Sequence, residues 1–271
     1  MFRDRIEAVT VSVGYGDFLA ETAQTNVHIF DKWLIVTSPD DEETREVCRR
    51  FSLPVLLTED GRGHCGNPAD FCKGRMIERG LQHLAADGWR VQLDADIALP
   101  SRTRHLICGA ELQQNKIYGI DRVMVRSFKM WQELLHSGWL TSNCHDYHNR
   151  LRWPKGVEVG SRWVNMEVGY VPIGFFQMWH STQDLWRGIR IRPYPTIHND
   201  ACRTDVQFGL LWDRPSRELL PEVVGVHIEP EPSPLGANWK GRRTPRFGPE
   251  DGRLYDKPDR LPMPSKRAAP S

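Results

Sequence analysis

No stretch of this 271-residue sequence approaches the roughly 20 consecutive apolar residues of a membrane-spanning helix, so no membrane span is expected. The opening residues lack the basic, apolar and small-residue succession of a secretory leader, which predicts a cytoplasmic chain. Cysteine is sparse and unpatterned. Its six copies, at 48, 65, 72, 108, 144 and 202, include no C-x-x-C pair and read as buried free thiols in a reducing compartment. There is no internal repeat and no glycine- or charge-dominated composition, which excludes collagenous, coiled-coil and wholly disordered chains. Lysine is also scarce, eight against 28 arginines. Net charge is almost absent, with 36 basic side chains against 35 acidic.

That neutrality conceals a polarity. Residues 1–60 carry six basic and twelve acidic side chains, whereas residues 236–271 carry nine basic and four acidic. The cationic end fits either an anionic partner or a solvated tail. Nine of the nineteen prolines lie at or after Pro230, so residues 236–271 are expected to wrap a domain rather than fold alone.

The length suits one large domain. The first half alternates strands (7–13, 32–37, 54–58, 89–93) with helices (18–30, one opening near Ser38, 70–86). This order predicts an α/β fold, a mostly parallel sheet flanked by helices, with ligands at the carboxyl ends of its strands. The second half is less regular. Strands are expected at 116–125, 170–179 and 223–227, a helix at 203–212, and a pocket-shaping loop at 141–165. One domain over 1–235 is expected, in two halves, 1–115 and 116–235.

The sharpest chemical feature is LDADIALP, which places Asp94 and Asp96 just past an apolar strand. Carboxylates two positions apart on extended chain point the same way, and their repulsion is relieved by a hard divalent cation. A solvated turn is the plain alternative. Three other patterns carry less. Gly14-x-Gly16 lacks the third glycine of a dinucleotide fingerprint. Cys144 with His145 and His148 lacks further ligands at zinc spacing and reads as loop residues. Trp179 and His180 end an expected strand and could line a pocket, with core as the alternative for Trp179.

The order and spacing of VTVSVGYGDFL, FCKG, LDADIALP, IYGIDR, YVPIGFFQMWH, RTDVQF, LLPEVVGVHIE and GANWKGRRT resemble the GT-A glycosyltransferases, in particular their large inverting family. The resemblance spans roughly residues 7–248 and implies one catalytic domain over 1–235, with a nucleotide-sugar-binding half (1–115) and an acceptor and catalytic half (116–235). It implies a GT-A (Rossmann-like) fold and a UDP-sugar donor, with glucose or a similar sugar. It also implies Mn²⁺ or Mg²⁺ on Asp94 and Asp96, with His227 as a third ligand. Tyr15, Thr37 and Asp40 would hold the nucleotide base. Lys73 would neutralise donor charge, although Cys72 stands where relatives often have Asn, and an exposed helix lysine is the alternative. Asn238, Trp239, Lys240 and Arg242 would close over the diphosphate. Asp205 would be the catalytic base, with Thr204 where relatives carry Glu; a helix cap is the other role open to it.

Rival classes fit less well. A nucleotidyltransferase needs a basic, glycine-rich loop after the first strand, and GYGDFLAET is acidic. An aspartyl phosphatase carries its Asp-x-Asp after the first strand, not the fourth. A non-catalytic nucleic-acid-binding module leaves the carboxylates unexplained. For the acceptor, the resemblance extends to bacterial and phage enzymes, the latter decorating hydroxymethylated pyrimidines in DNA. The arginines of 186–192 and the cationic end then suggest double-stranded DNA carrying 5-hydroxymethylcytosine or another hydroxymethylpyrimidine. A lipid, saccharide or small molecule is the alternative acceptor.

Overall fold

The computed structural model describes residues 5–61, 71–183, 185–186, 189–197, 201, 203–230, 242, 244 and 246–248. Four strands form a parallel block: β1 (Ile6–Val11), β2 (Lys32–Thr37), β3 (Val55–Leu57) and β4 (Trp89–Leu93). They are joined by helices α1 (Gly16–Asn26), α2 (Glu42–Arg50) and α3 (Lys73–Leu81). Next come β5 (Ile97–Ala98), α4 (Thr103–Gly109), β6 (Ile117–Val125) and α5 (Phe128–His136). Short strands β7 (Glu158–Val159), β8 (Val164–Asn165) and β9 (Gly169–Tyr170) lead to β10 (Phe176–His180). After β11 (Leu185–Trp186) and β12 (Ile189–Arg190), α6 (Thr204–Gly209) precedes the twelve-residue β13 (Arg217–Ile228).

The main sheet runs β3-β2-β1-β4-β10-β6-β13-β5, with β7 on β6. Strand β10 lies antiparallel between β4 and β6, so β4 and β6 still point the same way. Six of the nine strands therefore share one direction, and the expected α/β architecture with a mostly parallel sheet is present.

Side-chain alternation along β1 explains the layers. Ile6 and Ala8 face α1 and α2 across one core, while Val9 and Val11 face Met76, Ile77 and Leu81 of α3 across another. A third core joins Trp131 and Leu134 of α5 to Val123 and Val226.

Several expected boundaries shift for physical reasons. Helix α2 is capped by Asp41 rather than Ser38. The Asp41 carboxylate accepts from Thr44 N at 3.1 Å, Gly14 N at 2.8 Å and the Thr37 hydroxyl at 3.0 Å. Asp41 therefore ties together the loops that leave β1 and β2. Asp41→Ala is expected to cost about 2 kcal/mol in urea unfolding, against under about 0.5 kcal/mol for exposed Asp40→Ala. The last strand begins at Arg217 rather than 223, because a register shift between Leu220 and Val224 absorbs the irregular Pro221-Glu222.

No residue of the 141–165 segment lines the main cleft, but Gly160, Ser161, Arg162 and Trp163 line a smaller pocket next to Arg122. The segment's anchor is buried His145, whose Nδ1 contacts the Cys144 thiol at 3.1 Å and whose Nε2 contacts Glu222 O at 3.2 Å. Burial raises the Cys144 thiol pKa, and His148 is exposed, so this trio fixes a loop rather than holding zinc. Trp179 is core, packed against Phe208 and Trp212. His180 is buried beside Trp89 and bonded to Thr182.

Candidate active site

A cleft of about 270 Å³ opens at the carboxyl ends of β1, β4 and β13. This is where the backbone groups of a parallel sheet are freed and loops diverge. Tyr15, Lys73, Asp94, Asp96, Asp205, His227 and Arg242 all line it, although they span most of the chain.

Lys73 enters from the first residue of α3 and donates to Asp94 Oδ1 at 2.5 Å. Gln92 Nε2 donates to the same oxygen at 2.7 Å. Gly74 makes this placement possible. A Cβ there would come within 1.9 Å of Pro195 O and 2.6 Å of Thr204 Cγ2, so only glycine lets the start of α3 meet the start of α6. Burial works against the Lys73 ammonium, but the charge and hydrogen bond of Asp94 outweigh it and raise its pKa. Burial raises the Asp94 pKa, and nearby Asp96 adds to this against the pull of Lys73. Lys73 is thus a fixed cation on the cleft wall rather than an exposed helix lysine.

Asp96 Oδ2 faces His227 Nε2 at 3.5 Å, across the β5–β13 pairing. Burial alone would raise the Asp96 pKa; the charge of His227, with Lys73 nearby, overcomes this and lowers it. Asp96 Oδ1 and His227 Nδ1 are both buried without a hydrogen-bond partner. An orphaned carboxylate oxygen beside an imidazole is a donor set suited to a divalent ion, and the nitrogen favours Mn²⁺ over Mg²⁺. Asp94 differs, because its Oδ1 is engaged by Lys73 and Gln92. Among the described residues no group of three or more His, Cys, Asp or Glu side chains is gathered around one point. Asp96 and His227 therefore fit a site whose remaining positions are left to water or substrate oxygens.

Asp205 lies in the first turn of α6, and Gly174 N donates to its Oδ2 at 2.5 Å. A Cβ at Gly174 would sit 2.9 Å from that same oxygen, so glycine is required for the contact. Gln177 Nε2 fixes the Asp205 carbonyl at 2.9 Å. No cap hydrogen bond comes from Arg203, the residue before the helix, and the Asp205 carboxylate is turned toward the 173–175 turn. The neighbouring Thr204 is buried with its hydroxyl unpartnered.

The expected base-binding trio separates. Tyr15 lines the cleft, its ring centroid 5.2 Å from that of Phe18. Thr37 is buried on Asp41, and Asp40 is exposed in the turn before α2; neither lines the cleft. Arg242 is in the cleft wall but occupied. Its guanidinium donates to both Asp17 oxygens at 2.5 and 2.6 Å and to Gly14 O at 2.8 Å, above the Phe18 ring. These bonds fasten Arg242 to α1 and to the loop that precedes it. Asn238, Trp239 and Lys240 lie outside the described residues.

Sequence reasoning passed over Gln92, Asp41, Asp17 and Arg122. Arg122 had a signal, since Asp121-Arg122 interrupts the otherwise uncharged run IYGIDRVMV. Asp121 is taken by Arg162, which donates to both its oxygens at 2.7 Å.

The fold and cleft define the protein as an α/β protein with a carboxylate- and imidazole-lined site at its strand ends. No protein-family model matches the chain, and no curated protein matches it. Among solved structures it is similar to glucosyl-3-phosphoglycerate synthase from Mycobacterium tuberculosis, in complex with Mn²⁺, UDP and glucosyl-3-phosphoglycerate. That match has 13% identity over 83% of this chain and 72% of that one, with a TM-score of 0.43. It is also similar to the inositol-1-phosphate CTP transferase from T. maritima, at 10% identity over 85% and 92% of the two chains and a TM-score of 0.42. A third likeness is 4-diphosphocytidyl-2C-methyl-D-erythritol synthase from Anaerococcus prevotii, at 12% identity over 66% and 71%, TM-score 0.35. Likenesses this distant carry no functional argument.

Proposed function

We propose that this chain is a metal-dependent glycosyltransferase of GT-A type, moving a sugar from a UDP-sugar to an acceptor hydroxyl with inversion at the anomeric carbon. The observation that carries this reading is the convergence, in one cleft, of three functional groups. They are an anion-stabilising cation (Lys73 on Asp94), an O/N donor pair (Asp96 and His227) and a separately held carboxylate (Asp205). Mn²⁺ or Mg²⁺ held by Asp96 and His227 would supply Lewis-acid stabilisation of the leaving diphosphate.

The protein's own groups do the rest. Tyr15 offers an aromatic face to the nucleotide at the β1 end. Lys73 presents a preorganised positive charge where negative charge develops on the leaving group. Gly174 holds Asp205 Oδ2, and the carboxylate accepts the acceptor's hydroxyl proton as the new glycosidic bond forms and the bond to the diphosphate breaks. General-base help of this kind contributes about 10²–10⁴-fold.

The acceptor is the finer question. Among the cations expected to track DNA, Arg192 is bonded to Gln183 and stacked over Trp212, Arg242 is on Asp17, and Arg246 is paired with Glu43. These pairings take three of the described cations away from the duplex reading.

The test is UDP release from UDP-glucose, which should need Mn²⁺ or Mg²⁺. Asp205→Asn should keep UDP binding and lose transfer by at least about 10²-fold. Near-normal turnover in that variant removes Asp205 from the base role. The product anomer, read by NMR, reports the inversion.

A further inference from the structure

Among the described residues, one guanidinium of the cleft forms no ion pair. Arg126 pairs with Glu158 and Glu229, Arg162 with Asp121, Arg242 with Asp17 and Lys73 with Asp94. The Arg122 side chain, in the middle of β6, has no hydrogen bond or ion pair among the described residues, and its Nε is buried without a partner. It is half-buried and stacks on the Phe175 ring at 4.5 Å.

The placement is built rather than incidental. The β6–β13 register pairs Arg122 with Gly225 and Met124 with His227, so Arg122 and His227 lie on the same face of the sheet. On the other side of Arg122, Gly160 leaves room for its stem; a Cβ there would come within 2.6 Å of Arg122 Cγ and 2.9 Å of its Nε. Pinned between Phe175 and Gly160, the side chain lines the cleft beside Ile173 and Gly174. Burial opposes its charge and lowers its pKa despite Glu229, Asp96 and Asp94, yet a guanidinium stays protonated in proteins. An unpaired, partly desolvated cation costs stability, and folds keep such groups where a ligand supplies the counter-charge.

We infer that Arg122 binds an anionic group, a phosphate or carboxylate, on a small acceptor alcohol, which makes it the residue that selects the acceptor class. This rests on the transferase reading and deepens it. The acceptor, rather than the donor, is indicated by Phe175 and Gly174. Arg122 packs on the 173–175 turn, and that turn holds the candidate base Asp205 through Gly174 N. A planar guanidinium fork matches a phosphate or carboxylate in two hydrogen bonds. A single cation recessed in a cleft suits a compact anion better than a duplex, which is tracked by many exposed cations.

The experiment uses the full chain with Mn²⁺ and UDP-glucose. Glycerate and glucose 6-phosphate serve as anionic acceptors, glycerol and glucose as their neutral counterparts, with a hydroxymethylcytosine duplex as a separate arm. Inorganic phosphate binding to the chain preloaded with UDP and Mn²⁺ is measured in parallel by calorimetry.

Transfer should favour an anionic acceptor over its neutral counterpart. Arg122→Gln should lower kcat/KM for that acceptor about 10²-fold, leave the KM for UDP-glucose within about 2-fold, and abolish phosphate binding. Arg122→Lys should restore part of the loss, and neither variant should lower the thermal midpoint. Equal use of charged and neutral acceptors, transfer to the duplex alone, or an Arg122→Gln defect confined to the donor KM overturns the inference. Donor hydrolysis with neither anionic transfer nor phosphate binding also overturns it. No UDP release at all from the wild-type chain fails the transferase reading itself.

Discussion

Asp96→Ala should lose metal-dependent turnover of UDP-glucose by at least about 10³-fold while the protein stays folded. The reason is in the division of labour between the two carboxylates. Among the described residues Asp96 Oδ1 is buried with no partner and its Oδ2 faces His227 at 3.5 Å, so removing the carboxylate breaks up little of the fold's own hydrogen bonding. A metal acting as Lewis acid contributes several kcal/mol of charge stabilisation, and each 1.36 kcal/mol is tenfold in rate. Asp94→Ala should behave differently. It strands the Lys73 ammonium, paired at 2.5 Å and only 17% exposed, and should cost several kcal/mol of stability, about 3–5 by analogy with other buried pairs. Mn²⁺ titration by calorimetry and urea unfolding separate the two. Asp96→Ala loses the binding isotherm and keeps the unfolding midpoint; Asp94→Ala loses the midpoint. An Asp96→Ala protein that binds Mn²⁺ as the wild type does removes this residue from the metal site.

The parts of the molecule that could be read from sequence are those encoded locally. β1, β2 and β4 are apolar, β-branched runs bounded by turn residues, and their order with α1–α3 implies the parallel block directly. Asp94 and Asp96 were legible because a strand end needs no long-range information to be recognised. What escaped depends on contacts between distant residues. Asp40 and Asp41 are neighbours of the same chemistry. Only the meeting of the β1 and β2 loops, through Gly14 N and the Thr37 hydroxyl, selects Asp41. The two charges in β6 look alike in sequence too, but Asp121 is answered by Arg162 and Arg122 is not, and no periodicity encodes that difference. The full length of β13 was hidden because Pro221 and Glu222 break its apolar pattern at the place where its register shifts. Arg242 shows the limit most plainly, since its partner Asp17 lies 225 residues away.

That distant pair also matters for stability. Asp17 and Arg242 are 8% and 7% exposed, and the carboxylate also accepts from Phe247 N at 2.5 Å. Asp17→Ala should cost about 3–5 kcal/mol in chemical unfolding, because it takes the bidentate carboxylate from a guanidinium buried among Gly14 O, Thr244 O and the Tyr15 and Phe18 rings. Swinging out to solvent is not a cheap escape for Arg242. Phe247 stacks on Phe18 at 5.2 Å and meets Phe128 edge-on at 5.3 Å, while Arg246 pairs with Glu43, so peeling the segment away would expose that apolar contact as well. The double substitution Asp17→Leu with Arg242→Met should regain most of the loss, since apolar side chains of similar volume replace buried ion pairs at little cost. Because Asp17 opens α1 beside Tyr15, the single variant should also weaken UDP binding, measured by calorimetry below its unfolding transition, more than the double variant does. If Asp17→Ala unfolds within about 1 kcal/mol of the wild type, the pair does not hold the C-terminal segment to the domain.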